Sequence, residues 1–127
     1  MKIVVLDGHT LNPGDLSWDG FGELGEVTVH ERTQVDQVAE RIAGAEAVIT
    51  NKAVLSRKTI EASPQLRYVG VTATGVNIVD LEAADACGVT VTNAANYGSA
   101  SVAQAVFAHV LHLTQRVGDH AGAVKQG

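Results

Sequence analysis

The stretch from Tyr68 to Asp80 constrains the fold more tightly than any other part of the chain. Val69 and Val71 are β-branched and apolar, and Gly75 breaks the run before it is long enough for a helix. The pattern is that of a short buried strand followed by a turn. Asp80 stands where it caps a helix through residues 81–87, and Gly88 stands where that helix ends. A strand whose turn feeds a capped helix is the unit of a parallel sheet, because only a crossover returns the chain to start the next strand in the same direction. A glycine turn at a helix start also leaves backbone N–H groups unpaired, and these suit a carboxylate or phosphate.

The unit recurs. Apolar runs over 2–8, 26–30, 47–51 and 89–93 supply four more strands. Asn12 and Pro13 predict a short helix, with Asn as cap and Pro at the first helical position, and with Leu16 and Phe21 toward the sheet. Thr33 caps a second helix, Asp36 follows three residues on, and Val35, Val38, Ala39 and Ile42 form its buried face up to Gly44. Ser56 starts a third helix containing Ile60, and Pro64 stops it. Ser101 to Gln104 is a capping-box pattern opening the longest helix, 101–117, which Gly118 ends. Val102, Val106, Val110, Leu113 and Val117 form one apolar stripe on it, and Ala103, Phe107 and Leu111 a second. So wide a surface calls for two covering bodies. The alternation predicts an α/β domain over 1–127: a flavodoxin-like, five-stranded parallel sheet, order 2-1-3-4-5, with helices on both faces.

Composition narrows the function classes. Hydrophobic residues make up 46% and aromatics 4%, so the core is aliphatic. A net charge of −5 argues against nucleic acid or an anionic membrane as partner. No apolar run reaches membrane-spanning length, and the N-terminus lacks a signal-peptide pattern. The one cysteine, Cys87, reads as a small buried residue near a helix end, and this usage fits the cytoplasm.

Ligands of such sheets bind beyond the carboxyl ends of the strands. That edge collects residues 7–9, 51–54, 72–77 and 93–97, small and polar loops suited to a small anion. The run Gly20-Phe21-Gly22-Glu23-Leu24-Gly25 formally matches the dinucleotide fingerprint, but its glycines end a helix and precede a strand, the reverse of what a pyrophosphate needs. His109 and His112 have no third partner at helical spacing, so no metal site is predicted. His9 lies at the mouth of the first strand without an orienting carboxylate. No nucleophile–base pattern is present, and no catalytic residue is assigned.

Two stretches carry a family resemblance. Ala73-Thr74-Gly75-Val76-Asn77-Ile78-Val79-Asp80 resembles the substrate loop of the D-2-hydroxyacid dehydrogenases. Asn93-Ala94-Ala95-Asn96-Tyr97-Gly98-Ser99-Ala100-Ser101-Val102-Ala103-Gln104 resembles the segment leading into that family's interdomain helix, in the glycerate dehydrogenase (hydroxypyruvate reductase) variant. The resemblance covers the whole chain but only the first part of such an enzyme. It implies that the amides of Thr74, Gly75 and Val76 grip the carboxylate of a small 2-oxo or 2-hydroxy acid, while Lys52, Ala53 and Val54 close from the next loop. It places Ser101 near the cofactor, NAD or NADP, which a separate Rossmann domain binds. The family's Arg, Glu and His lie beyond the matched portion. The expectation is therefore a truncated substrate domain, inactive alone and binding no cofactor by itself. Its helix at 101–117, made to meet another domain, would fold back or pair with a second copy, with a dimer favoured. Two rivals fit worse. A receiver-type module wants a phosphorylatable Asp and a Lys where Asn51 and Asn93 stand, and a flavodoxin wants a phosphate loop that residues 9–12 do not make. The remaining alternative is a flavodoxin-like fragment or engineered truncation with no ligand of its own.

Overall fold

A computed structural model describes residues 1–127 as two compact units, Met1–Ala95 and Asn96–Gly127. The first holds five strands: β1 (Lys2–Val5), β2 (Glu26–Val29), β3 (Ala47–Thr50), β4 (Tyr68–Val71) and β5 (Thr90–Asn93). Every pairing is parallel and the order is β2-β1-β3-β4-β5. β3 is apolar except for Thr50 and is buried along its whole length, as a strand flanked on both sides and covered on both faces must be.

The two faces are covered unequally. On one, Val4, Leu6, Val48, Val69 and Val71 meet Val38 and Ile42 of the second crossover, Ile60 of α3 (Arg57–Glu61), and Ala83 and Ala84 of α4 (Leu81–Ala86). Each fully buried Val or Ile there contributes roughly 1.5–3 kcal/mol. On the other face a smaller cluster of Ile3, Val5, Ala47 and Ile49 is met by Leu11, Trp18 and Phe21, the last in the four-residue α1 (Asp19–Gly22).

Two helix starts follow the sequence reading. The Ser56 side chain accepts from the Thr59 amide, and that of Asp80 from the Ala83 amide at 2.8 Å. Gly88, at φ 69°, ends α4 in the left-handed conformation open to glycine.

Elsewhere local signals were overridden. Asn12 and Pro13 open no helix. Asn12 folds an Asx-type turn instead, its Oδ1 accepting from Gly14 and Leu16 amides at 3.0 and 2.9 Å. Leu16 is left exposed rather than toward the sheet, while Phe21 does pack there. Thr33 is not a cap, because its hydroxyl donates to the Leu6 carbonyl. The second crossover starts after Gln34 as a 3-10 turn (Val35–Gln37), with the Gln34 amide donating to Gln37 Oε1, and continues as α2 (Val38–Arg41). The tighter winding rotates Val35 and Ala39 to solvent and leaves Val38 and Ile42 as the buried pair. Cys87 is exposed, because the last turn of α4 lifts it off the sheet.

The second unit contains α5 (Ser99–Gln115) and α6 (Val117–Gln126), joined at Arg116 with φ 49°. Gly98 is the residue before α5, so Ser101 lies inside the first turn and caps nothing. Gly118 lies within α6 rather than ending the long helix. Arg116 Nε donates to Asp119 Oδ2 at 2.7 Å across the junction. No residue of α5 is buried.

Candidate functional site

Parallel strands deliver all their C-terminal loops to one edge, and hydrogen bonds in the first unit lace those loops together. The segment after β3 is tied to the segment after β4 by a parallel bridge between Leu55 and Val79. Leu55 donates to the Ile78 carbonyl at 2.8 Å, and the Asp80 amide donates to the Leu55 carbonyl at 3.0 Å. The bridge ties together the segments that directly follow the Lys52–Val54 loop and the Thr74–Val76 turn, two stretches that the sequence keeps 20 residues apart.

Within the turn, carbonyls are committed and amides are free. Asn93 Nδ2 donates to the Thr74 carbonyl at 2.8 Å, and the Thr74 hydroxyl donates to the Ala94 carbonyl. In a trans peptide the N–H points opposite to the C=O, so the Thr74 carbonyl bond directs the Gly75 amide away from Asn93. The amides of Thr74, Gly75, Val76 and Asn77 donate to no other group of the chain. Thr74 and Gly75 are exposed, and Val76 is half-buried against the larger core. Amides that donate to no group of the chain are donors left for water or an anion.

The neighbouring loop is differently disposed. Lys52 and Val54 are exposed, whereas the Ala53 methyl is buried in the core. Amides 51–53 all donate to the buried Asp7 carboxylate: Asn51 at 2.8 and 3.0 Å, Ala53 at 3.1 Å, and Lys52. Thr50 Oγ1 adds a bond to the Ala53 carbonyl at 3.0 Å. What this loop still offers an anion is the Lys52 ammonium and the Val54 amide.

Beside it lies a cleft of about 200 Å³ lined by Asp7, Thr10, Arg32, Thr33, Lys52 and Ala53. His9 stands at the same edge with Nδ1 3.8 Å from Glu31 Oε2, an exposed carboxylate the sequence did not point to. His30, at the end of β2, is held below the ordinary histidine pKa by burial first and by the Arg41 charge second. Ser101, His109 and His112 are exposed on α5 in the second unit.

The Gly20–Gly25 match does not fit a dinucleotide. Gly20 and Gly22 fall inside or at the end of α1, and Gly25 precedes β2, at the sheet edge opposite the strand ends. Gly25 is needed for another reason: a Cβ there would lie 1.9 Å from the Met1 carbonyl oxygen. The residues present therefore make no pyrophosphate cradle.

The comparisons with known proteins decide the family. Residues 4–122 match the model of the D-isomer specific 2-hydroxyacid dehydrogenase catalytic domain. The chain belongs to this family. It is 46% identical over 130 residues to a hydroxypyruvate reductase of Blautia hydrogenotrophica, covering 100% of this chain and 40% of that protein. It is 32% identical over 127 residues to a glycerate dehydrogenase of Methylorubrum extorquens, covering 99% of this chain and 40% of that protein. Among solved structures, an acyclic imino acid reductase in complex with NADPH and D-Arg superimposes with a TM-score of 0.80 at 21% identity, over 100% of this chain and 41% of that one. The last shares the fold. The chain thus spans 40% of the length of these two relatives. No helix in it is long and apolar enough to cross a membrane.

Asp7 and Asn93 are the residues whose roles sequence reasoning missed. Both lie at the strand-end edge, where the sequence placed them. The available signal for Asp7 was a lone acid closing an otherwise apolar strand.

Proposed function

We propose that this chain is the substrate-binding portion of an NAD(P)-dependent D-2-hydroxyacid dehydrogenase of the cytoplasm. The parent reaction is reduction of hydroxypyruvate or glyoxylate, or oxidation of D-glycerate. The observation that carries the proposal is the row of undonated amides at Thr74–Asn77 on the strand-end edge of a chain in this family. Gly75 and Val76 amides take the substrate carboxylate, and Thr74 orients the turn. Lys52 and Val54 close the site, Lys52 by charge and Val54 by its amide, and Ala53 anchors the loop between them.

Hydride transfer also needs a cation on the carbonyl and an acid for the alkoxide. No residue of this chain is assigned either role, so the chain alone binds the acid and does not turn it over. The nicotinamide cofactor supplies the hydride in the parent enzyme and is held outside the residues described, with Ser101 approaching it. The exposed apolar side chains Val102, Val106, Phe107, Val110, Leu111 and Leu113 of α5 support pairing of two copies through that helix. A light-scattering mass of one chain at high concentration would remove the dimer from this reading.

The test is an amide-resolved NMR titration with hydroxypyruvate and D-glycerate, with acetate as control. Expected are shifts at Thr74–Asn77 and Lys52–Val54 with the 2-oxo and 2-hydroxy acids, and much weaker ones there with acetate, which offers the carboxylate alone. Gly75→Ala sharpens it. Its Cβ would meet only Asn77 Oδ1 at 3.1 Å, and Gly75 has no positive φ, so the fold survives. A methyl in the carboxylate site should weaken binding about tenfold. Absence of shifts at millimolar ligand would leave a fold with no ligand of its own. Oxidation of NADH by the chain alone would contradict the assignment of no catalytic residue.

A further inference from the structure

Asp7 is 4% exposed, and the functional reading gives it no contact with ligand. A carboxylate taken out of water is tolerated only where donors replace its hydration. Here the donors are three consecutive amides of Asn51, Lys52 and Ala53, from the loop after β3. Successive amides converging on one carboxylate form an anion nest, and this nest is filled by the chain's own anion. The neighbouring turn at Gly75–Val76 presents a second set of amides with nothing in it. Two adjacent sets would compete for the same small carboxylate if both were open. Only one is, and the Leu55–Val79 bridge carries the position of the filled one to the other. A second tie acts on the same loop, since Asn51 Nδ2 donates to Thr10 Oγ1 at 3.1 Å, and Thr10 in turn donates to the Asp7 carbonyl at 2.8 Å.

We propose that Asp7 is a positioning residue for ligand binding: as an internal anion it occupies the amides of Asn51–Ala53, holds Lys52 and Val54 beside the Gly75 turn, and reserves the Gly75 and Val76 amides for the external carboxylate. This rests on the functional reading above. It makes the ligand pocket a product of the segment that follows β1, where Asp7 never meets the ligand.

Two variants of the full chain test it by amide hydrogen exchange and hydroxypyruvate titration. Asp7→Asn keeps the volume but turns an NH2 group toward the three N–H donors. Amides 51–53 should exchange about tenfold faster or more, while Val48 and Val69 in the central strands keep their protection. The hydroxypyruvate Kd should rise about tenfold. Asp7→Ala empties the nest and leaves room for formate. Added formate should restore protection at 51–53 and, with it, the hydroxypyruvate shifts at Gly75 and Val76. A merely structural loss of stability would show no formate-dependent return.

Unchanged exchange at 51–53 in Asp7→Asn overturns the anchoring. A released loop with unchanged hydroxypyruvate affinity overturns the positioning role. Formate perturbing Gly75 and Val76 but not 51–53 in Asp7→Ala overturns the internal-anion assignment. If the unsubstituted chain shows no hydroxypyruvate shift, the functional reading fails and takes the ligand part of this proposal with it. The exchange of amides 51–53 still decides the anchoring separately.

Discussion

Replacing Asp80 isolates what the residue after the Gly75 turn contributes to the fold. Its Oδ1 accepts from the Ala83 amide at 2.8 Å, and the same oxygen lies 3.2 Å from Arg57 Nη2. Alanine removes both. Loss of an N-cap acceptor costs about 1 kcal/mol, within a range of roughly 0.5–2. The Arg57 pair adds less, because the two side chains are 48% and 31% exposed and screened, and such pairs contribute at most about 1 kcal/mol. Together Asp80→Ala should destabilise the first unit by about 1–2 kcal/mol. The Asp80 amide bond to Leu55 is main-chain and survives. Asp80→Asn keeps an acceptor at the cap and loses only charge, so it should cost under about 1 kcal/mol. Urea unfolding followed by fluorescence of Trp18, the single tryptophan and part of the first unit, reads the difference. With m near 2 kcal/mol/M, the alanine variant should shift the midpoint down by roughly 0.5–1 M. Equal midpoints for the alanine and asparagine variants would refute the cap as the source. A loss above about 4 kcal/mol would mean that α4 depends on Asp80 for its docking and not only for its first turn.

Other outcomes follow from the same structure. Ile60→Ala should cost about 2–5 kcal/mol in the same urea assay, because Ile60 is 1% exposed in the larger core and α3 has too few other anchors to collapse onto the space. His30 is held below its ordinary pKa of 6.5, so above that value its protonation contributes no pH dependence to stability. As pH falls through 6.5 the unfolded chain takes up the proton first and stability drops, until the folded histidine is protonated as well. The stability difference between the unsubstituted chain and His30→Gln should therefore change between pH 7 and 5 and stay flat above 7. A His30 NMR titration with a midpoint at or above 6.5 would contradict it. Phe107→Lys should leave urea unfolding of the first unit within about 0.5 kcal/mol, since the side chain is exposed in the other unit, and should lower the light-scattering mass if α5 pairs two copies.

Much of the fold was legible because it is written locally. Val69 and Val71 before Gly75, Ser56 and Asp80 at helix starts, and Gly88 at a helix end each depend on neighbours within a few residues. The parallel sheet followed from the alternation of elements, and the order 2-1-3-4-5 from the flavodoxin-like form of the doubly wound fold. The failures came where one local signal competed with another. Asn12 had the residue type of a cap and made an Asx turn. Thr33 had the residue type of a cap and donated to Leu6 across the sheet. Ser101 had the spacing of a capping box, yet the helix had already begun at Ser99.

By itself, then, the sequence determined a parallel α/β sheet, the edge to which its strand-end loops run, and the glycine turn on that edge, since strand periodicity, caps and turns are short-range chemistry. Only the tertiary structure decided which amides on that edge are free. Asp7 claims three of them from 44 to 46 residues away, and Asn93 turns the Thr74 carbonyl from 19 residues away. Such pairings need the strands side by side, because a hydrogen bond reaches about 3 Å and no local pattern records which distant group will arrive there.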